Sequence, residues 1–138
     1  MHLAIPQIIS HGRRIYFGFE TTEEWLIEYS KSEFRKRGYT PNPPASDLFH
    51  MSESLQLLQE HSGIHPVRVK SVFPQGARIP PPPKDNRQTL PLRESGGTIV
   101  AICSSSPKWF ANRPSQAKVD VLKQIMGGEE PKWWISDI

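Results

Sequence analysis

"GTIVAIC", residues 97–103, is the most apolar run in the chain. Its isoleucines and valine are β-branched and favour extended backbone. The run does not alternate between apolar and polar positions, so a strand here is covered on both faces and belongs at the centre of a sheet. The rest of the fold is read outward from it.

Upstream, "PVRVKSVF" at 66–73 is a second strand, with a bulge or both faces covered near its end. Between the two strands, 74–96 has no periodicity. Four consecutive prolines there force a polyproline II turn or two, and a loop of this length is expected to be functional or mobile. Further upstream, "RRIYFGFE" at 13–20 is an aromatic strand in which Gly18 allows close backbone approach. Thr21 and Glu24 have capping-box spacing, so a helix carrying Trp25, Leu26, Tyr29 and Phe34 is expected from there to Gly38. Residues 46–62 show a stripe of Leu48, Met51, Leu55 and Leu58, with Ser46 or Asp47 as cap and Gly63 as stop.

Downstream, "SSSPKWFANRP" is read as a connection. Residues 115–126 predict a helix with Ala117, Val121, Leu122 and Ile125 inward, ended by Gly127 and Gly128. "PKWWI" is a short last strand. The predicted fold is α+β: a mainly antiparallel sheet of three to four strands with helices on one face. Its order is ferredoxin-like (split βαβ), with the second helix inserted. A length of 138 residues suits one domain spanning 1–138, with a Pro-rich loop at 74–96.

Composition narrows the function classes. Net charge is +3 and the sequence pI about 9.2, mildly basic without the dense stripe of dedicated nucleic-acid proteins. One cysteine, Cys103, allows no internal disulfide and fits a reducing, intracellular setting, cytoplasmic or nuclear. The opening "MHLAIPQIIS" lacks the layout of a signal peptide, and no apolar run is long enough to span a membrane. There is no Walker loop, dinucleotide fingerprint or nucleophile elbow.

Individual residues suggest several chemistries. If "KWWI" is a strand, Trp133 and Trp134 point to opposite faces, one into the core and one onto the open side of the sheet beside Tyr16 or Phe19. An outer tryptophan could anchor a partner. Arg35, Lys36 and Arg37 complement the dipole at the end of the first helix, or join Arg13 and Arg14 in a basic, phosphate-binding patch. Cys103 ends an apolar strand, where cysteine is generally inert; catalysis would need a histidine within reach, from His50, His61 or His65. His61 and His65 have i, i+4 spacing, but Gly63 interrupts them and no Glu or Cys completes a zinc set, so no metal and no cofactor are expected.

"IYFG" at 15–18 resembles the first-strand signature of RNA recognition motifs, whose third strand should then carry aromatics; "GGTIVAIC" has none. "YFGF" at 16–19, "EWL" at 24–26 and "PKWW" at 131–134 together resemble a group of short uncharacterised proteins from mushroom-forming fungi. That resemblance implies an intracellular fungal protein and brings no activity, cofactor or site.

The leading expectation is a non-enzymatic protein-interaction domain that self-associates, as a dimer, through an aromatic sheet face. Tyr16, Phe19, Trp109, Trp133 and Trp134 would carry the interface. The alternatives are a small enzyme or small-molecule binder with a pocket near Cys103 and Trp109, and a binder of RNA or single-stranded nucleic acid.

Overall fold

The computed structural model describes residues 3–7, 12–40, 44–76, 78–79 and 97–137. Most of the proline-rich 74–96 segment lies outside them. In chain order the elements are β1 (Ile15–Thr21), α1 (Glu23–Lys36), α2 (Asp47–Ser62), β2 (Arg68–Val72), β3 (Gly97–Ser104), α3 (Pro107–Ala111), α4 (Gln116–Ile125) and β4 (Lys132–Ile135). The strands form one antiparallel sheet in the order β2-β3-β1-β4. The fold is therefore α+β. The apolar run is its central strand, and Ile99 to Ser104 are at most 1% exposed.

A bulge sets which side chains share a face. Phe17 pairs with Cys103 but Gly18 pairs with Ala101, so β3 spends one extra residue at Ile102. Ile102 and Cys103, adjacent in sequence, consequently both enter the helix-side core with Phe17, Phe19 and Val100. The irregularity lies in the β1–β3 pair, and the expected place for it was β2. Gly18 sits where the two backbones come closest. A Cβ there would overlap the Val100 carbonyl oxygen and stand 2.8 Å from Ala101 Cα.

The helices close one side of the sheet. Leu26 of α1, Leu58 of α2, and Val119 and Leu122 of α4 are at most 2% exposed in that core. Burying a leucine of this kind contributes roughly 1.5–3 kcal/mol. Thr22 caps α1 by accepting from Trp25 N–H at 3.0 Å, one residue later than the Thr21–Glu24 spacing suggested. Thr21 remains in the strand. Ser46 caps α2, and Gly63, in the left-handed region at φ 76, ends it.

Two helical stripes differ from expectation. α2 buries His50, Ser54, Leu57 and Leu58, while Leu48 is 74% exposed. The small Ser30 of α1 and Ser54 of α2 are both fully buried, which suits close approach of the two helices. α4 buries Val119 and Leu122 and turns Ala117 and Val121 outward. The segment read as a connection contains α3, opened by Pro107 in the first turn, where its missing N–H costs nothing.

The edge strands meet at one end. Phe73 N–H donates to Ile135 C=O at 2.9 Å, Asp137 N–H donates to Ser71 C=O at 3.2 Å, and Val72 bridges Ser136. In a flat four-stranded sheet the outer strands stand about 14 Å apart. They can bond only if the sheet curls there.

Candidate functional site

The curl explains the sheet's second face. Tyr16, Val72, Ile99, Ala101 and Trp134 form a second apolar cluster, each at most 7% exposed. Tyr16 and Trp134 are paired across β1 and β4. The Trp134 indole N–H donates to Gly18 C=O at 3.2 Å. Trp109 of α3 packs edge-on against Tyr16, with ring centroids 6.1 Å apart. The face expected to stand open is thus covered within the chain.

The five aromatic candidates do not form one surface. Tyr16 and Trp134 lie in the second cluster, and Phe19, 3% exposed, lies in the helix-side core. Trp133, half-buried, points to the helix side and packs on Phe17 at 5.3 Å and Phe110 at 6.4 Å. Trp109 is also half-buried and touches both clusters. The opposite facing expected of Trp133 and Trp134 follows from β4 being a strand.

Cys103 is fully buried. Burial pushes its thiol up to about 12, against a smaller pull downward from Arg113. A thiol held in that state is a poor nucleophile at neutral pH. His50 lies 2.8 Å from the Ser30 hydroxyl through Nδ1, joining α2 to α1. His61 Nδ1 lies 2.9 Å from the Tyr29 hydroxyl. Burial, with Glu33 adding to it, pushes that phenol up to about 12. Among the described residues, no three His, Cys, Asp or Glu side chains gather as a metal site, and no helix is long and apolar enough to cross a membrane.

The basic residues divide by location. Arg35 and Lys36 close α1 and pair with Glu28 at 2.8 Å and Glu33 at 3.2 Å. The Arg35 hydrogen bond holds the exposed Glu28 carboxyl below its usual value. Arg13 is buried; its guanidinium lies 5.1 Å over the Phe73 ring and donates to Ser136 C=O at 3.4 Å. Arg14 is exposed.

Two surface features were not visible in the sequence. Leu48, Tyr39 and Phe49 are 74%, 58% and 43% exposed. Tyr39 and Phe49 both lean on Phe34, with ring centroids 5.4 and 6.0 Å away, forming an apolar end to the α1–α2 hairpin. The other feature is a cleft of about 270 Å³ on the curled sheet, lined by Arg14, Tyr16, Lys70, Ser71 and Ser136. Comparison with protein families, with curated proteins and with solved structures finds no match to this chain.

Proposed function

We propose that this chain is a non-enzymatic protein-interaction domain that self-associates through the exposed end of its α1–α2 hairpin. The observation that carries this reading is the contrast in exposure. The sheet aromatics Tyr16, Phe19 and Trp134 keep at most 7%, while Leu48, Tyr39 and Phe49 keep 43% or more. Docking through the sheet face would add little burial to side chains already inside, whereas docking through the hairpin end would remove large apolar groups from water. A second copy suits this end because its surroundings carry both signs: Lys31, Arg35, Lys36 and Arg37 beside Glu28, Glu33 and Asp47. A surface of one sign would repel its own copy, and an isologous interface must be self-complementary. The sheet order with every neighbour antiparallel supports a split βαβ, ferredoxin-like arrangement, in which α2 and α3 are additions to the usual two helices.

Light scattering during size-exclusion chromatography tests the proposal. Wild-type protein is expected to form a dimer that persists in high salt, and Leu48→Glu with Phe49→Glu is expected to elute as a monomer with an unchanged circular dichroism spectrum. A wild-type monomer at every concentration, or a dimer that the double variant leaves intact, refutes it.

A further inference from the structure

We infer that the cleft on the curled sheet is a binding site for a small phosphate monoester. The sheet's curl makes the cleft. It lies where β1, β2 and the residue after β4 converge, at the end where the edge strands bond to each other. The mouth of a curled or closed sheet is a common place for a ligand.

Its chemistry is one-sided. Among the described residues, the wall consists of Arg14, Tyr16, Lys70, Ser71 and Ser136. Arg14, Tyr16 and Lys70 carry hydrogen-bond donors, Ser71 gives its hydroxyl proton to Asp137, and none of the five is a carboxylate. The Lys70 ammonium stands 5.2 Å above the Tyr16 ring, held over the floor of the cleft. Arg14 is exposed beside it, so its guanidinium can turn toward a ligand without leaving a buried partner behind. Among the described residues, the carboxylate bonded to this wall is Asp137, which is buried and accepts from Ser71 Oγ at 2.8 Å. Arg13, also buried at this end of the sheet, balances Asp137 in formal charge. Arg14 and Lys70 therefore leave the wall with two positive charges.

Two cations suit a doubly charged oxyanion better than a single carboxylate. A guanidinium binds two phosphate oxygens at once, and an ammonium serves as a point charge for a third. A volume of about 270 Å³ is at or below the usual range of roughly 300–1,000 Å³ for small-molecule sites, so the group attached to the phosphate must be small. Tyr16 forms the floor and touches Trp109, so occupation of the cleft should change tryptophan emission.

The test is a fluorescence titration at neutral pH and fixed ionic strength, checked by calorimetry. The probes are inorganic phosphate, glycerol phosphate and acetate. The two phosphates are expected to saturate, with acetate at least about tenfold weaker. Arg14→Gln and Lys70→Gln should each weaken phosphate binding by about tenfold, the size of one lost hydrogen bond to a charged group. Lys132→Gln removes an exposed cation elsewhere on the sheet and should change nothing. Non-saturable binding, equal affinity for acetate, or phosphate affinity unaffected by both cleft variants would overturn the assignment. None of these outcomes depends on whether the protein dimerises.

Discussion

Replacing Gly18 with alanine tests the central geometry of the molecule. The added Cβ would overlap the Val100 carbonyl oxygen and lie 2.8 Å from both Val100 C and Ala101 Cα. Carbon atoms normally rest at about 3.5–4.0 Å, so β1 and β3 would have to part by roughly 1 Å. All the atoms in the way are backbone, and no side chain can swing aside. Opening the pair by that distance breaks neighbouring N–H···O bonds at the centre of the sheet, where a lost partner costs about 1–3 kcal/mol for each buried group. The Trp134 indole N–H also loses its fixed acceptor, Gly18 C=O. The sum is at least about 3 kcal/mol, a large share of the roughly 5–15 kcal/mol that holds a domain together. For a chain of this size it corresponds to a fall in Tm of about 10 °C or more.

Gly38 supplies the control. It has φ +68, and no atom lies within 4 Å of the place an added methyl would take, so Gly38→Ala costs only the left-handed backbone penalty, about 1 kcal/mol. Urea unfolding followed by tryptophan fluorescence separates the two variants. If Gly18→Ala is within about 1 kcal/mol of wild type, or no worse than Gly38→Ala, the β1–β3 register and its bulge are wrong.

Four further outcomes follow from three buried polar groups. The rise of the Cys103 thiol from 9.0 to about 12 cuts its thiolate fraction at neutral pH about a thousandfold, so alkylation in the native state should be slower than in urea by at least that factor; comparable rates would refute the burial. Because the folded value is the raised one, this protonated thiol gives its full contribution to stability below pH 9 and loses it as pH rises toward 12, which Cys103→Ala should flatten in alkaline unfolding curves. Trp134→Phe removes the donor to Gly18 C=O and should cost about 1–3 kcal/mol in urea without altering the oligomeric state; an unchanged midpoint would show that this bond contributes nothing. Ser54 Oγ is buried with no hydrogen-bond partner, so Ser54→Ala should be neutral or stabilising in the same assay, and a loss above about 1 kcal/mol would show that the hydroxyl is satisfied.

The features legible in the sequence are those that a short stretch decides by itself. An unbroken apolar run demanded cover on both faces, and it became the central strand. Gly18 signalled close backbone approach, and the overlap that any side chain would make there bears that out. Ser46 and Gly63 bound α2 because a cap needs only its own turn of backbone. Even α3 had a local signal, a serine followed by proline at the helix start. The surfaces were hidden because they depend on distant pairings. The Leu48 stripe looked inward only while α2 was considered without α1; once His50 meets Ser30 of α1, the buried arc turns toward His50, Ser54 and Leu57 and leaves Leu48 outside. The Trp133–Trp134 pair was expected to leave one ring for a partner because an open sheet has an uncovered face. The backbone bonds between 71–73 and 135–137 remove that premise by curling the sheet. The same bonds set Lys70 and Ser71 beside Ser136, which lies more than sixty residues away in sequence. One non-local pairing therefore hides the aromatic face that the sequence offered and builds the cationic cleft that it did not.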